Sequence, residues 1–547
     1  MLKKVLILFF LFNLISYSQI ENIRVGHPVY KFLLRLENLG LTEDINLSDL
    51  PLQKKDILFI LNNALNKKNL LKDNDINIIN RFLKEFDNNL ISSTELIPSK
   101  SDSNQILFNN IFSDKEKYIF LYRDSNIFTS LKPLGSLDFF YLKNDTLSDN
   151  NYSLIGNLGI RLSGSIDNLL GYNLQATNGT LITGNRNVAI TDNNYAKNVK
   201  FVYYNSDIDF TESHIILEKD WFTAYLGRES RLIGSGFYNH LIVNDNSTPF
   251  DMFSLKAKFK GFSYKFAHNS LMGFINKSGD WETGFGISII PKYMVFHKFS
   301  INGDWGEFSF YETVVYSNRN IDLAYLNPLS FLKSLEHALR DRDNSGMGLD
   351  LNLRFLNNFQ LKANYFLDDI RFEMIGKNYW GNKSSFNIGI AYSSKFGLDI
   401  KSEYVRVEPF TYSHFNRYNA MTTDGFLYSS YLYPNSDRIT IGLDWWFLGG
   451  RYPFEIQYSY TRHGKNIIDQ QGNIIKNVGG DPNYTKEYEH SGVVYFLDGD
   501  LEITNNLYLN YTFEIIRQFA LSINYIYLNS NEFNQHFLRL KLVFEDF

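Results

Sequence analysis

Two stretches of this chain concentrate the side chains that bind polar ligands. The first is Leu226–Asp251, LGRESRLIGSGFYNHLIVNDNSTPFD. Arg228, Arg231, Asn244, Asp245 and Asn246 offer planar groups suited to hydroxyls and carboxylates. Gly227, Gly234 and Gly236 allow the tight backbone that brings such groups together. The second is Tyr325–Asn344, YLNPLSFLKSLEHALRDRDN. Asn327-Pro328 reads as an N-cap followed by a first-turn proline, so the spacing predicts one short helix over 328–340. Glu336, His337, Arg340, Asp341, Arg342, Asp343 and Asn344 crowd behind it. Such a cluster suits sugar binding, and suits equally well the pairing of charges against a scaffold wall.

Other chemistries leave no trace. There is no GxSxG, no HExxH and no glycine-rich phosphate loop. The chain has ten histidines and no cysteine. The histidines are scattered, with no pair at metal-ligand spacing. Without cysteine there are no disulfides, thiolate metal sites or lipoprotein anchor. A net charge of −5 leaves no electrostatic footprint for nucleic acid. The expectation is a binding protein: not an enzyme, with no catalytic residues, no cofactor and no metal. His337 next to Glu336 makes no dyad, because adjacent helical residues point in different directions.

The elements that must position these stretches are strands. In Gly346–Phe355, Met347, Leu349, Leu351, Leu353 and Phe355 fall on one face, and Gly348, Asp350, Asn352 and Arg354 on the other. A period of two is the mark of a strand with one apolar and one polar face. Asn357-Asn358 turns the chain, and Phe359, Leu361, Ala363, Tyr365 and Leu367 restart the pattern. The alternation recurs through 158–176, 386–400, 439–460 and 507–527. Its apolar faces run about nine to eleven residues, the length that crosses a bilayer as a tilted strand. Open strand edges cannot sit in lipid, so the sheet must close. At roughly 24 residues per strand and connection, 116–547 holds on the order of 18 antiparallel strands. The fold class is an all-β transmembrane barrel. A helix attached to it is expected to enter the lumen or cap one mouth.

Ahead of the barrel the period changes. Lys3 and Lys4, the apolar run Val5 to Ile15 and Ser16-Tyr17-Ser18 read as a signal peptide over 1–18. The mature chain is then expected to start at Gln19. Residues 19–90 carry three amphipathic helices, near 28–40, 52–67 and 75–87, as a small periplasmic bundle or plug. Residues 91–115 read as a polar linker. No later stretch is long and apolar enough for a transmembrane helix. Mean hydropathy is −0.24, and 16% of residues are aromatic. Both fit a barrel that greases alternate residues and places rings at the interfaces. The chain ends on an amphipathic strand with Phe544 on its leucine face and Phe547 out of phase. Either Phe544 is the terminal aromatic read by the barrel assembly machinery, or a bulge corrects the register.

Three segments resemble the Wzi capsule-assembly family in the form common among Bacteroidetes. They are HPVYKFLLRLENLG, LGRESRLIGSGFYNHLIVNDNSTPFD and NPLSFLKSLEHALRDRDNSGMGLDLNLRFLNNFQL. The resemblance implies an outer-membrane barrel of about 18 strands with a helical bundle at its periplasmic end. It also implies a lectin-like function: holding capsular or other surface polysaccharide on the cell. Ser235, Phe237 and Tyr238 stand where the enterobacterial branch is richer in Trp and Pro. The expected partners are that polysaccharide, outer-membrane lipid and the assembly machinery. A barrel this wide also admits a second reading, a porin-like channel.

Overall fold

The computed structural model describes residues 19–87, 93–95, 112–144, 151–203, 207–276, 288–447, 449–486 and 492–545. The signal segment 1–18, most of the linker and Phe547 lie outside the described residues.

Eighteen antiparallel strands close one barrel. They are β1 (Ile127–Asn144), β2 (Tyr152–Ile166), β3 (Leu170–Gly184), β4 (Asp207–Lys219), β5 (Phe222–Arg228) and β6 (Asp251–Phe259). Next come β7 (Phe262–Leu271), β8 (Lys292–Gly303), β9 (Gly306–Ser317), β10 (Asn344–Arg354), β11 (Phe359–Asp369) and β12 (Lys383–Ser393). The set ends with β13 (Leu398–Val407), β14 (Ser436–Trp445), β15 (Phe454–Lys465), β16 (Asp500–Ile516), β17 (Phe519–Ser530) and β18 (Asn534–Phe544). β18 pairs with β1 from Gln535↔Asn144 to Phe544↔Gly135, which removes both edges. β18 carries no bulge against either neighbour, so Phe544 stays on the leucine face.

The connections are short at one end and long at the other. In bacterial barrels the short turns face the periplasm and the long loops face outward. Exposed Trp221, Phe259, Phe262, Trp305 and Phe396 cluster at the short-turn end, as in an interfacial aromatic girdle. The alternating pattern sorts as its chemistry demands. Leu349, Ile388, Ile390, Ile400 and Ile441 are exposed on the outer wall, whereas Asp350, Asn352, Asn364, Asn387 and Glu403 are buried in the lumen.

The lumen is occupied from both ends. From the short-turn end enter α1 (Val29–Asn38), α2 (Lys54–Asn66) and α3 (Asp73–Phe86). Phe32, Leu36, Ile57, Leu61, Ile78 and Phe82 form their core. Trp446, from the β14–β15 turn, completes that core, edge-on to Phe32 at 5.3 Å. Ion pairs fasten the plug to the wall: Arg35–Asp399 at 2.7 Å, Glu37–Lys362 at 3.3 Å, Asp49–Lys265 at 2.6 Å and Glu85–Arg451 at 2.6 Å. Burial opposes the charge on Asp49, but Lys265 and Lys256 outweigh it and hold the carboxyl well below its ordinary range.

The helix after Asn327 is shorter than the spacing predicts, and it corrects the expected placement. It spans Leu332–Ala338 (α4), and it lies on the outer wall. The Leu332 amide donates to Glu312 at 2.9 Å, and the Ser345 hydroxyl donates to Glu336 at 3.1 Å. Glu312 and Ser345 share the outward register of Phe308 and Leu349. The reason is apolar complementarity. Leu332, Leu335 and Leu339 pack on Phe266, Val295, Val314 and Tyr316, while the lumen beside them is already filled.

Candidate functional site

The β5–β6 connection runs down inside the barrel rather than over its mouth. Leu232 and Ile233 pair antiparallel with Leu50 and Asp49 of the plug. Gly234, at φ +104°, turns the chain there, and its amide donates to the Ser48 carbonyl at 2.8 Å. Two buried carboxylates on the wall then seat the loop. Asp350 accepts from the Ser235 amide at 2.6 Å and from its hydroxyl at 3.1 Å. Glu403 accepts from the amides of Phe237 at 2.6 Å and Tyr238 at 3.3 Å. Asn387 donates to the carbonyls of Ser235 and Asn239. Gly389 and Gly442 leave room for the rings of Phe237 and Tyr238. Burial keeps the His240 ring neutral, its pKa pushed down to about 4.

A second inward loop, 408–435, clasps the first. Asn239 accepts from the Tyr431 amide at 2.8 Å, the Asn244 amide donates to the Tyr428 carbonyl at 2.5 Å, and Asn246 donates to the Ser430 carbonyl at 2.7 Å. The Tyr431 hydroxyl donates to Asp245. Both loops lean towards β7–β14. The other side of the lumen keeps a cavity of 690 Å³ against β1–β4 and β18. Its lining descends from Asn194 and Asp424 on the long connections to Arg24 and Gly26 above the plug, past Asn157, Gln175 and Arg539. Burial raises the Asp424 carboxyl to about 6.

The structure separates the residues singled out by sequence. Arg228 and Asp245 line the large cavity, Arg228 also lying 3.5 Å from Asp251. Arg231 does not reach it: the guanidinium lies over the Tyr225 ring and pairs with Glu229 at 2.7 Å. The Asn244 side chain donates to Asn239 within its own loop, and that of Asn246 holds the two loops together. The second stretch stands apart. Asn327 caps a turn through the Leu329 amide, and Asp343 takes a bidentate pair from Arg319 and a bond from Tyr325. Asn344 donates to the Asn419 carbonyl, and Arg342 reaches Asp322 at 3.3 Å. Arg340 is exposed. Glu336, His337 and Asp341 bring three ligand-type atoms within 4.8 Å, with Glu336 already engaged by Ser345. The two stretches therefore do not line one cavity. Loop 408–435 and wall residues such as Asn157 and Gln175 were missed; the loop had a signal, a break in alternation as long as the one at 229–250.

Closed strands, an apolar belt and a plugged lumen define the class: an 18-stranded outer-membrane β-barrel. Its architecture is similar to that of Wzi from Escherichia coli, described as an outer-membrane protein involved in group 1 capsule assembly and a carbohydrate-binding β-barrel. The likeness covers 96% of this chain and 100% of that one, with a TM-score of 0.56 at 10% identity. A BenF-like porin from Pseudomonas fluorescens matches 76% of this chain and 98% of its own, with a TM-score of 0.43 at 10% identity. OccAB2 from Acinetobacter baumannii matches 75% and 97%, also at 0.43 and 10%. No protein-family model and no curated protein sequence matches the chain. At these identities the likeness to Wzi shows the fold.

Proposed function

We propose that this protein binds polysaccharide at the cell surface and holds capsular or exopolysaccharide on the outer membrane, as a lectin and not as an enzyme. The observation that carries the reading is a lumen closed below by an ion-paired plug and left hollow above it. A cavity of 690 Å³ lies over the plug, lined by amides, hydroxyls and balanced charge together with Tyr195, Phe210 and Met272. That is a space for holding a ligand that enters from outside. The likeness to a carbohydrate-binding barrel supports the choice of ligand. Contacts to each repeat would be weak and would add along a polymer presented to many barrels.

The test uses the full-length protein in detergent and polysaccharide stripped from the cells that make it. Saturable binding is expected, together with no steady conductance in a planar bilayer. Absent binding with a steady open conductance would replace this reading with a porin-like channel.

A further inference from the structure

The lumen wall is unevenly filled. From β10 to β13 the inward charges Asp350, Lys362, Asp399, Lys401 and Glu403 are buried, engaged by the plug, the inward loop or, for Lys401, Asp444 of β14. Along β15 to β17 the inward charges Glu455, Lys465, Glu502 and Glu514 stand towards the strand ends, and the middle is neutral. Thr461, Thr504, Asn506, Asn510, Ser522 and Asn524 are neutral amides and hydroxyls, and all remain half-exposed. These positions face the lumen rather than lipid, so their exposure reports open space inside the barrel. A cavity of 200 Å³ lies at the upper end of this wall, where Tyr431 and Tyr433 from the inward loop and the charged Arg438 and Glu502 join the neutral Thr461, Thr504 and Asn506. Tyr431 lines this cavity, and its hydrogen-bond partner Asp245 lines the larger one.

The open half ends blind. Lys31 of α1 pairs with Glu455 at 2.5 Å, and Asn510 donates to the same carboxylate at 2.7 Å. Arg451 bridges Glu514 and Glu85 beneath. From Thr504 to Asn510 the track runs roughly 20 Å along the strand. Selective ion passage uses rings of charge or carbonyls, and between Thr504 and Asn510 this wall offers neither. It offers donors and acceptors at intervals, which match a chain of hydroxyl-bearing rings.

We infer that the neutral stretch of this half-lumen is a dead-end track for an uncharged, hydroxyl-rich segment of a polymer. The inference rests on the polysaccharide reading and narrows it to one wall and one ligand class.

The chain has no cysteine, so single introduced thiols report access cleanly. Asn506→Cys, Ser522→Cys and Asn524→Cys probe the track, and Asn387→Cys probes the filled side. Each variant is first shown to be heat-modifiable on gels, as a folded barrel is. On cells stripped of polysaccharide, a small charged methanethiosulfonate is expected to modify the three track positions and to spare Asn387→Cys. Stripped polysaccharide added back at about ten times its half-saturating concentration is expected to slow track labelling by about tenfold. That protection is expected to persist at high salt, because no ion pairs hold the segment. Unlabelled track positions would overturn the inference, as would labelling that polysaccharide leaves unchanged. Protection that salt abolishes would overturn the uncharged class. If protection fails while the full-length protein still binds polysaccharide, the binding reading stands and only the track falls.

Discussion

Arg35 and Asp399 join the plug to the barrel wall. The Arg35 guanidinium donates to Asp399 at 2.7 Å, and its other nitrogens reach Asp75 of α3 and the Ser394 carbonyl. Asp399 also accepts from the Trp446 indole at 2.8 Å. One ion pair thus connects two helices, one strand and the turn that completes the plug core. Removing one member of a buried pair leaves the other charge uncompensated, at about 3–5 kcal/mol. Arg35→Ala is expected to loosen the plug without opening the barrel. Bilayer recordings should show intermittent conductance where the parent shows none, and protease should reach 19–87 in a barrel that stays heat-modifiable.

The plug and the inward loop share an acid-sensitive joint. Glu229 accepts from Asn22 at 2.7 Å, pairs with Arg231 at 2.7 Å and lies 3.0 Å from the His214 ring. Burial opposes its charge, but His214 and Arg231 outweigh burial and depress the carboxyl to about 2. A depressed carboxyl contributes stability above its unfolded value, near 4.3, and that contribution is lost as pH falls towards the folded one. Protease protection of the loop is expected to decline between about pH 4 and pH 2. Glu229→Gln is expected to remove that step and to weaken protection already at neutral pH.

Beneath α4, His297 and Glu312 lie 3.1 Å apart on the outward side of β8 and β9, nearly sealed from the surroundings. The helix keeps this polar pair out of lipid. Replacing 328–339 with a short polar linker is expected to uncover it and to destabilise the barrel by roughly 1–2 kcal/mol, below the cost of a lone Arg or Lys at the middle of a lipid face. Adding His297→Leu and Glu312→Leu together should recover most of that loss. Urea unfolding in lipid vesicles measures both.

The seat of the inward loop depends on close approach to the wall. A methyl group at Gly442 would collide with the Tyr238 hydroxyl. Gly442→Ala is expected to displace the 237–238 turn and weaken polysaccharide binding severalfold, with the barrel intact. Tyr238→Phe in the same chain should restore part of the binding, which a purely global defect would not allow.

Much of this fold was legible because a barrel in lipid enforces a strict period. Met347, Leu349 and Leu351 face outward, and Asp350 and Asn352 face inward, as their alternation demands. The three helices were legible from their apolar spacing, and Gly40, at φ +71°, stands just past the end of α1. The lumen was not legible. Nothing local in Asp350 or Glu403 says that the carboxylate seats a loop from more than a hundred residues away. The outer placement of α4 was hidden for the same reason. An amphipathic turn reads alike whether its apolar side meets a lumen or Val295 and Val314. Arg231 and Asn244 carried the right chemistry for a ligand, but Glu229 and Asn239 of the same connection had already used it.

The most direct test is made on cells. The gene is deleted, and cell-attached and shed polysaccharide are quantified separately. The expected result is a fall in attached polysaccharide with a matching rise in the medium and an unchanged total, reversed by the full-length protein. Attached polysaccharide at the parental level in the deletion strain would contradict the proposed function.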